Sequence, residues 1–69
     1  MTRYKVGVVG CGFFGSSLAR ELAAHPRFEL TMLCDRDFER AKDVAAEFSA
    51  TPTDDHDAVA AHPELALVV

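Results

Sequence analysis

Near its start the chain reads Val8-Val9-Gly10-Cys11-Gly12-Phe13-Phe14-Gly15. The glycines of this stretch have the pattern Gly-x-Gly-x-x-Gly. The β-branched residues before them, over residues 3–9, predict a strand. After Gly15 the apolar residues Leu18 and Leu22 recur at helical spacing. The dipeptide His25-Pro26 then ends the predicted helix, because a residue before proline avoids helical dihedral angles. The glycine stretch is therefore predicted to connect a strand to a helix.

Strands and helices alternate along the rest of the sequence. The predicted elements are, in order, a strand at 28–34, a helix from Asp37 to about Ser49, at most a stub of strand at 50–52, a short helix capped by Thr53 or Asp54, and a strand at 65–69. This alternation predicts an α/β fold with a doubly wound parallel sheet, which is the Rossmann fold in truncated form. We expect the first strand at the centre, with the second and last strands on either side.

The glycine stretch has the context that a dinucleotide-binding loop requires. Gly10 permits a tight turn out of the strand, Gly12 lets a pyrophosphate approach the backbone, and Gly15 lets the helix pack closely on the sheet. The helix then presents unpaired N–H groups to the phosphates. Asp35 follows Gly15 by 20 positions (35 − 15 = 20) at the end of the second strand, where a carboxylate accepts hydrogen bonds from ribose hydroxyls.

The residues around Asp35 bear on which dinucleotide is bound. A carboxylate at this position repels a 2′-phosphate and favours NAD, whereas Arg36 beside it could accommodate that phosphate or stack on adenine. NAD is the expected cofactor, and NADP stays open. Ala19 fits the extended glycine pattern of FAD proteins, but those would be expected to have Glu in place of Asp35. Phe13 is a candidate cover for the phosphates, and Phe14 is expected in the core.

Composition and charge exclude several classes of protein. The 69 residues are 49% apolar and 26% charged, which is typical of a globular chain and not of a disordered linker. The net charge of −4 argues against general nucleic-acid binding. No apolar run approaches the roughly 18 residues of a membrane span. Cys11 and Cys34 are interpreted as small buried thiols in a reducing cytoplasm, with a redox pair as the alternative.

No residue of this chain is predicted to be catalytic or to bind a metal. His25 and His62 are expected at the ends of helices, and the run from Asp54 to Asp57 is interpreted as a capped, solvated turn. The apolar run 65–69 is interpreted as a strand of the core. We therefore expect residues 1–69 to be the N-terminal part of a dinucleotide-binding domain, with the substrate domain absent from this chain.

The sequence resembles the N-terminus of the glucose–fructose oxidoreductase / inositol dehydrogenase (Gfo/Idh/MocA) family over essentially its whole length. The resemblance rests on four stretches, which are 5–15, 33–41, 45–48 and 62–69. The glycine motif occurs in many dehydrogenases. The stretch Cys34-Asp35-Arg36-Asp37 followed by Glu39-Arg40-Ala41 is more discriminating.

The resemblance implies a function for a longer protein. Family members transfer hydride between NAD(P) and a sugar, polyol or related hydroxyl compound. A second α/β domain forms their substrate pocket and often an oligomer interface, so a homo-oligomer is expected. The catalytic lysine of the family's Glu-Lys-Pro motif would lie beyond residue 69. The family holds its cofactor at positions that correspond here to Gly10, Gly12, Phe13, Phe14, Asp35 and Arg36.

Two other functional hypotheses stay open at this point. The chain could belong to a dinucleotide-binding or redox-sensing module without catalysis, since the same glycine loop would serve both. It could also be a truncated reading frame that folds poorly and binds nothing. NAD titration of the isolated chain distinguishes this last hypothesis from the others.

Overall fold

The computed structural model describes residues 3–69, except for the side chains of Phe13 and Phe14. Four strands and three helices alternate along the chain. They are β1 (Tyr4–Val9), α1 (Phe13–Ala24), β2 (Phe28–Cys34), α2 (Phe38–Phe48), β3 (Thr51–Thr53), α3 (His56–Ala60) and β4 (Leu67–Val68).

The strands form one sheet in the order β3-β2-β1-β4, and every pair is parallel. The first strand lies at the centre between β2 and β4, so the predicted truncated Rossmann arrangement is confirmed. The pairing of β1 with β2 shifts by one residue between Val6 and Gly7, because β2 contains one extra residue there. Such a bulge changes which face the following side chains point to.

The hydrophobic core lies on both faces of the sheet. One buried cluster includes Val8 and Leu33 from the sheet, with Ala19 of α1 and Ala41 of α2. The other cluster contains Val59 of α3 with two residues of β2, Met32 and Cys34. Successive side chains of a strand alternate between faces. The helices α1 and α2 therefore cover one face and α3 covers the other, as in a doubly wound fold.

Gly7 in the central strand permits the close packing of α3. A Cβ atom at Gly7 would lie 2.7 Å from Val59 Cγ1 and 2.8 Å from Leu65 Cδ1, closer than such atoms approach one another. The absence of a side chain at this position lets α3 and the segment after it approach β1. The sequence analysis assigned no role to this glycine.

Four predicted details differ from the structure. The helix α1 begins at Phe13 and so includes Gly15, because Gly12 provides the N-cap with extended dihedral angles. The N-cap of α3 is Asp55, since Thr53 still belongs to β3. The last strand is Leu67–Val68 and not 65–69, although backbone hydrogen bonds join 66–69 to β1. The stub of strand expected at 50–52 is β3, which lies one residue later, at Thr51–Thr53.

The tetrapeptide Ala-Ala-His-Pro occurs twice and makes the same turn each time. His25 Nδ1 accepts the backbone N–H of Arg27 (3.1 Å), and His62 Nδ1 accepts that of Glu64 (3.2 Å). A ring nitrogen that accepts a hydrogen bond carries no proton, so these contacts are made by neutral histidine.

Within residues 3–69 no helix has the length and apolar character needed to cross a membrane.

Candidate functional site

The glycine loop turns sharply at the carboxyl end of β1. Gly10 has φ of 92°, a left-handed conformation that glycine adopts without the steric cost of a side chain. Its N–H donates to the carbonyl oxygen of Cys34 at 2.7 Å. This hydrogen bond attaches the bend to the carboxyl end of β2, and Asp35 is the next residue of the chain.

The loop is also held against the first turn of α1. A Cβ atom at Gly15 would overlap the carbonyl oxygen of Gly10, so the helix can approach the bend only without a side chain there. The Ser16 hydroxyl donates to the carbonyl oxygen of Cys11 at 2.9 Å, and the Ser16 N–H donates to that of Gly12 at 2.8 Å. These contacts fix the course of the loop from Gly10 to Gly12.

Gly12 differs from Gly15 because there is open space beside it, and from Gly10 because its φ is not positive. Apart from its neighbours in the chain, the only atom of the described residues within 4 Å of a Cβ built there is Arg40 Nη1, at 3.8 Å. The backbone at Gly12 is extended (φ −71°, ψ −164°), a conformation open to any residue. Neither packing nor backbone strain explains a glycine at this position, whereas a ligand that contacts the backbone would.

The N-terminus of α1 has no carboxylate of its own. Gly12 at the N-cap has no side chain to accept from the first helical N–H groups, and the first turn contains no acidic residue. The N-terminal N–H groups of a helix and its dipole attract anions. The loop and the helix start therefore present a positive, accessible backbone surface.

Asp35 lies directly beside the glycine loop. Its Oδ2 accepts the Cys11 N–H at 2.8 Å, and its Oδ1 accepts the Asp37 N–H at 2.9 Å. The Asp35 side chain is 13% exposed. An ionised carboxylate accepts hydrogen bonds at about four positions. Asp35 therefore retains capacity for a further donor while it holds the loop.

The surroundings of Asp35 keep it ionised. The backbone N–H groups of Asp37 and Cys11 lower the pKa of this carboxyl group below its usual value, and the nearby guanidinium groups of Arg40 and Arg36 act in the same direction. Partial burial opposes this shift. At neutral pH the ionised carboxylate of Asp35 therefore lies next to the glycine loop as a hydrogen-bond acceptor.

Arg40 is also part of this site, although it was not among the residues predicted from the sequence to bind the cofactor. Its Nη1 lies 3.8 Å from Asp35 Oδ2, and the same atom lies nearest to the open space at Gly12. The spacing from Asp35 to Arg40 could have indicated this position. A helix capped at Asp37 places Arg40 in its first turn, from which a long side chain reaches back to the strand end.

Two cavities adjoin at Gly10, and Val9 and Gly10 line both of them. The first, of about 470 Å³, lies over the ends of β2 and β3 and is lined by Asp35, Arg36, Asp54 and His56. The second, of about 430 Å³, lies on the other side of the bend and is lined by Gly12, Gly15, Leu18 and Val69. The glycine bend thus lies between two cavities, of which the first contains charged side chains and the second is lined by glycine and aliphatic residues.

The predicted cofactor residues occupy this one region. Gly10, Gly12 and Gly15 form the bend and the helix start, and Asp35 and Arg36 line the first cavity. The side chains of the remaining two, Phe13 and Phe14, lie outside the described part of the structure. Their backbone belongs to the first turn of α1.

The two cysteines are buried and free. The Cys11 thiol donates to the carbonyl oxygen of Cys34 at 3.5 Å. Burial raises the pKa of both thiols, and the negative charge of Asp35 raises it further. A thiol with a raised pKa forms little of the reactive thiolate. These contacts favour the interpretation as small core residues over that as a redox pair.

Two carboxylates of the acidic segment 54–57 make contacts within the chain at the start of α3. Asp55 Oδ1 accepts the Asp57 N–H at 3.0 Å as the N-cap, and Asp57 Oδ1 lies 3.4 Å from His56 Nε2. Asp54 instead lines the first cavity. Among residues 3–69 no group of three or more His, Cys, Asp and Glu side chains is arranged to hold a metal ion.

Comparison with known families gives a match over nearly the whole chain. The family described as "Oxidoreductase family, NAD-binding Rossmann fold" (GFO_IDH_MocA) matches residues 4–69. A comparison with curated proteins gives no match.

Several solved structures share this fold. GenD2 from gentamicin A biosynthesis, solved with NAD, is 37% identical, with a TM-score of 0.93 over 99% of this chain and 20% of its own. The 3-ketoreductase KijD10 from Actinomadura kijaniata, solved with NADP, is 27% identical, with a TM-score of 0.88 over 96% of this chain and 21% of its own. A myo-inositol dehydrogenase from Corynebacterium glutamicum is 26% identical, with a TM-score of 0.89 over 96% of this chain and 20% of its own. The chain therefore spans about a fifth of the length of these proteins.

Proposed function

The chain belongs to the Gfo/Idh/MocA oxidoreductase family, which has an NAD-binding Rossmann fold, and from this premise we propose that its glycine loop and Asp35 bind a nicotinamide dinucleotide. The observation that carries the proposal is the meeting of two cavities at Gly10. The first cavity contains the carboxylate of Asp35, and the second contains the start of α1. An adenosine in the first and a nicotinamide riboside in the second would place the linking pyrophosphate over the bend.

Each part of the loop has a separate task in this proposal. The pyrophosphate lies against Gly12, where the protein leaves room, and accepts from the free N–H groups of α1. Asp35 accepts from the hydroxyls of the adenosine ribose through its remaining lone pairs. Gly10 and Gly15 give the loop its shape. Phe13 and Phe14, in the first turn of α1, complete the set of proposed cofactor-binding residues.

We propose NAD as the preferred form. Two carboxylates, Asp35 and Asp54, line the first cavity, where a 2′-phosphate on the ribose would meet like charge. Arg36 in the same cavity and Arg40 beside Asp35 offset part of that repulsion. NADP is therefore admitted with lower affinity. GenD2 was solved with NAD and KijD10 with NADP, so relatives of this chain include both.

The activity proposed for the full-length protein is hydride transfer between the nicotinamide and a sugar, polyol or related hydroxyl compound. Support comes from a 3-ketoreductase and a myo-inositol dehydrogenase among the similar structures. The bound nicotinamide supplies the carbon that accepts or donates the hydride. The residues of this chain bind and orient the dinucleotide, and none of them is assigned a catalytic role. The acid–base group is proposed to belong to the part of the protein outside residues 1–69.

The remaining proposals concern the whole protein. Residues 1–69 are proposed to be the N-terminal part of the cofactor domain, to which a substrate domain is added in the full-length protein. The fivefold greater length of the similar structures supports this.

We propose that the protein is a cytoplasmic homo-oligomer. Size measurement by light scattering on the full-length protein tests the oligomer, and a monomer would contradict it.

Calorimetric titration with NAD tests cofactor binding directly. The unaltered protein is expected to bind NAD, and Gly12→Val to lose that binding, because the isopropyl group fills the space proposed for the pyrophosphate. Since the protein leaves room at Gly12, the variant should still fold, which circular dichroism verifies. Glu21→Val, on the exposed face of α1, is the matched control and should bind normally. Absent NAD binding by the unaltered protein, or full binding by a folded Gly12→Val variant, would contradict the proposal.

A further inference from the structure

The cavity over β2 and β3 contains a second carboxylate besides that of Asp35. The Asp35 N–H donates to the carbonyl oxygen of Thr53 at 3.1 Å, so the ends of these two strands are joined. Asp54 follows Thr53 directly and lines the same cavity as Asp35. The two carboxylates thus approach the cavity from neighbouring strand ends.

The Asp54 carboxylate differs from its neighbours because the fold does not use it. Asp35 accepts two backbone N–H groups, and Asp55 accepts the N–H that caps α3. In the part of the chain that the structure describes, no hydrogen bond or ion pair reaches the side chain of Asp54. A free acceptor that lines a cavity can be satisfied by a donor on a ligand.

The other side chains of this cavity suit a flat ring. Arg36 comes from the connection between β2 and α2, and His56 from the start of α3, so they reach the cavity from two different loops. A guanidinium group and an imidazole are both planar and pack against aromatic bases. The volume of about 470 Å³ falls within the range of small-molecule sites. The cavity therefore contains two planar side chains and one carboxylate that has no hydrogen-bond partner among the described residues.

We propose that Asp54 selects the adenine base of the dinucleotide by accepting a hydrogen bond from its exocyclic amino group. Adenine carries a donor at this position, whereas guanine carries a carbonyl acceptor and hypoxanthine does so too. A carboxylate attracts the first and repels the others. This inference rests on the proposed binding of NAD and adds the base as a second point of recognition, separate from the ribose at Asp35.

The test compares NAD with nicotinamide hypoxanthine dinucleotide, in which a carbonyl oxygen replaces the amino group. The unaltered protein is expected to bind NAD about 10 to 100 times more tightly, as for loss of a hydrogen bond to a charged group. In Asp54→Asn the amide can donate to the carbonyl oxygen, so the preference should fall to about threefold or less. Asp57→Asn, which removes the same charge from a side chain outside the cavity, should keep the full preference.

The outcomes of this experiment distinguish a failure of the proposed NAD binding from a failure of the role proposed for Asp54. If the unaltered protein binds neither dinucleotide, the proposed function fails and this inference with it. If it binds both equally, only the role of Asp54 fails. That role also fails if Asp54→Asn keeps the preference, or if Asp57→Asn loses it equally through charge alone. Asp54→Ser serves as a second variant, with an expected loss of preference, in case Asp54→Asn does not fold.

Discussion

Asp35 illustrates how one residue serves both the fold and the proposed site. It holds the glycine loop through the Cys11 N–H and starts the next connection through the Asp37 N–H. Both hydrogen bonds are stronger to the ionised carboxylate than to the neutral acid, so both lower its pKa. The geometry of the loop is therefore linked to the charge of Asp35.

This linkage predicts the pH dependence of stability. A carboxyl group whose pKa is lower in the folded chain stabilises the fold above its unfolded value, about 3.9, and this contribution is lost as pH falls through the folded value. The free energy of unfolding should therefore decrease below about pH 4. In Asp35→Asn that decrease should be smaller, as measured by urea denaturation from pH 7 to pH 3. Asp43→Asn, on the exposed side of α2, is the control, and an unchanged pH dependence in Asp35→Asn would contradict the assignment.

The glycines of the loop predict two different responses to alanine. Gly15→Ala would force the new methyl group into the Gly10 carbonyl, and we expect a loss of about 1–3 kcal/mol in unfolding free energy, as for overpacking. Gly12→Ala has space for the methyl group and should cost about 1 kcal/mol or less, as a weaker N-cap. Thermal unfolding of both variants measures the difference. Equal losses would show that the loop is not packed as described.

At the scale of the element, the helix α2 has clear local signals at both ends. Asp37 Oδ1 accepts the Arg40 N–H at 3.3 Å and begins the helix. Ser49 ends it in the left-handed conformation, with φ of 57° and ψ of 32°, and its N–H donates to the Ala45 carbonyl oxygen. Left-handed backbone is strained for a residue with a side chain. The helix therefore ends at a position that favours glycine over the serine present.

Glycine at this position should stabilise the chain. Ser49→Gly removes the strain of the left-handed backbone, and we expect a gain of up to about 1 kcal/mol in unfolding free energy. The same change inside a helix, Ser17→Gly, should destabilise by about 0.5–1 kcal/mol, because glycine loses more backbone entropy there. Urea denaturation compares the two variants. Destabilisation by Ser49→Gly would contradict the assigned conformation.

At the scale of the whole molecule, a small chain depends on few buried residues. Stabilities of about 0.05–0.15 kcal/mol per residue give about 3–10 kcal/mol for a chain of this length. Leu33 is completely buried in the larger cluster between the sheet and the helices α1 and α2. The exposed apolar side chains include Leu67, Val68 and Val69, at 43–45% exposure along the edge strand β4.

Leu33 and Leu67, which lie in different strands of the sheet, should therefore respond differently to truncation. Leu33→Ala is expected to cost about 2–5 kcal/mol, a large part of the total, because it leaves a cavity in the core. Leu67→Ala, on the exposed edge, should cost less than about 1 kcal/mol. Thermal unfolding measured by circular dichroism compares them. Similar losses would mean that Leu33 does not lie in the main core.

Some features could be predicted from local sequence because their causes are local. The spacing of apolar residues determined the existence and order of the helices and strands, and the alternation determined a parallel sheet. The pattern Gly10, Gly12, Gly15 with Asp35 indicated the site, because a left-handed bend and a close helix approach both require glycine. The resemblance to a known family rested on these residues together with the rest of the stretches 5–15, 33–41, 45–48 and 62–69, and the match over residues 4–69 confirms it.

Other features were decided only in three dimensions, because they depend on residues that are distant in sequence. Arg40 lies nearest to Gly12 because α2 starts beside the glycine loop, and Gly7 is needed because α3 packs onto the central strand. The capping residue of α3 depended on where β3 ends, which its pairing with β2 sets. Asp54 came to line the cavity because the same pairing joins the two strand ends. Spacing along the chain contains no information on such pairings, since they arise from packing between elements.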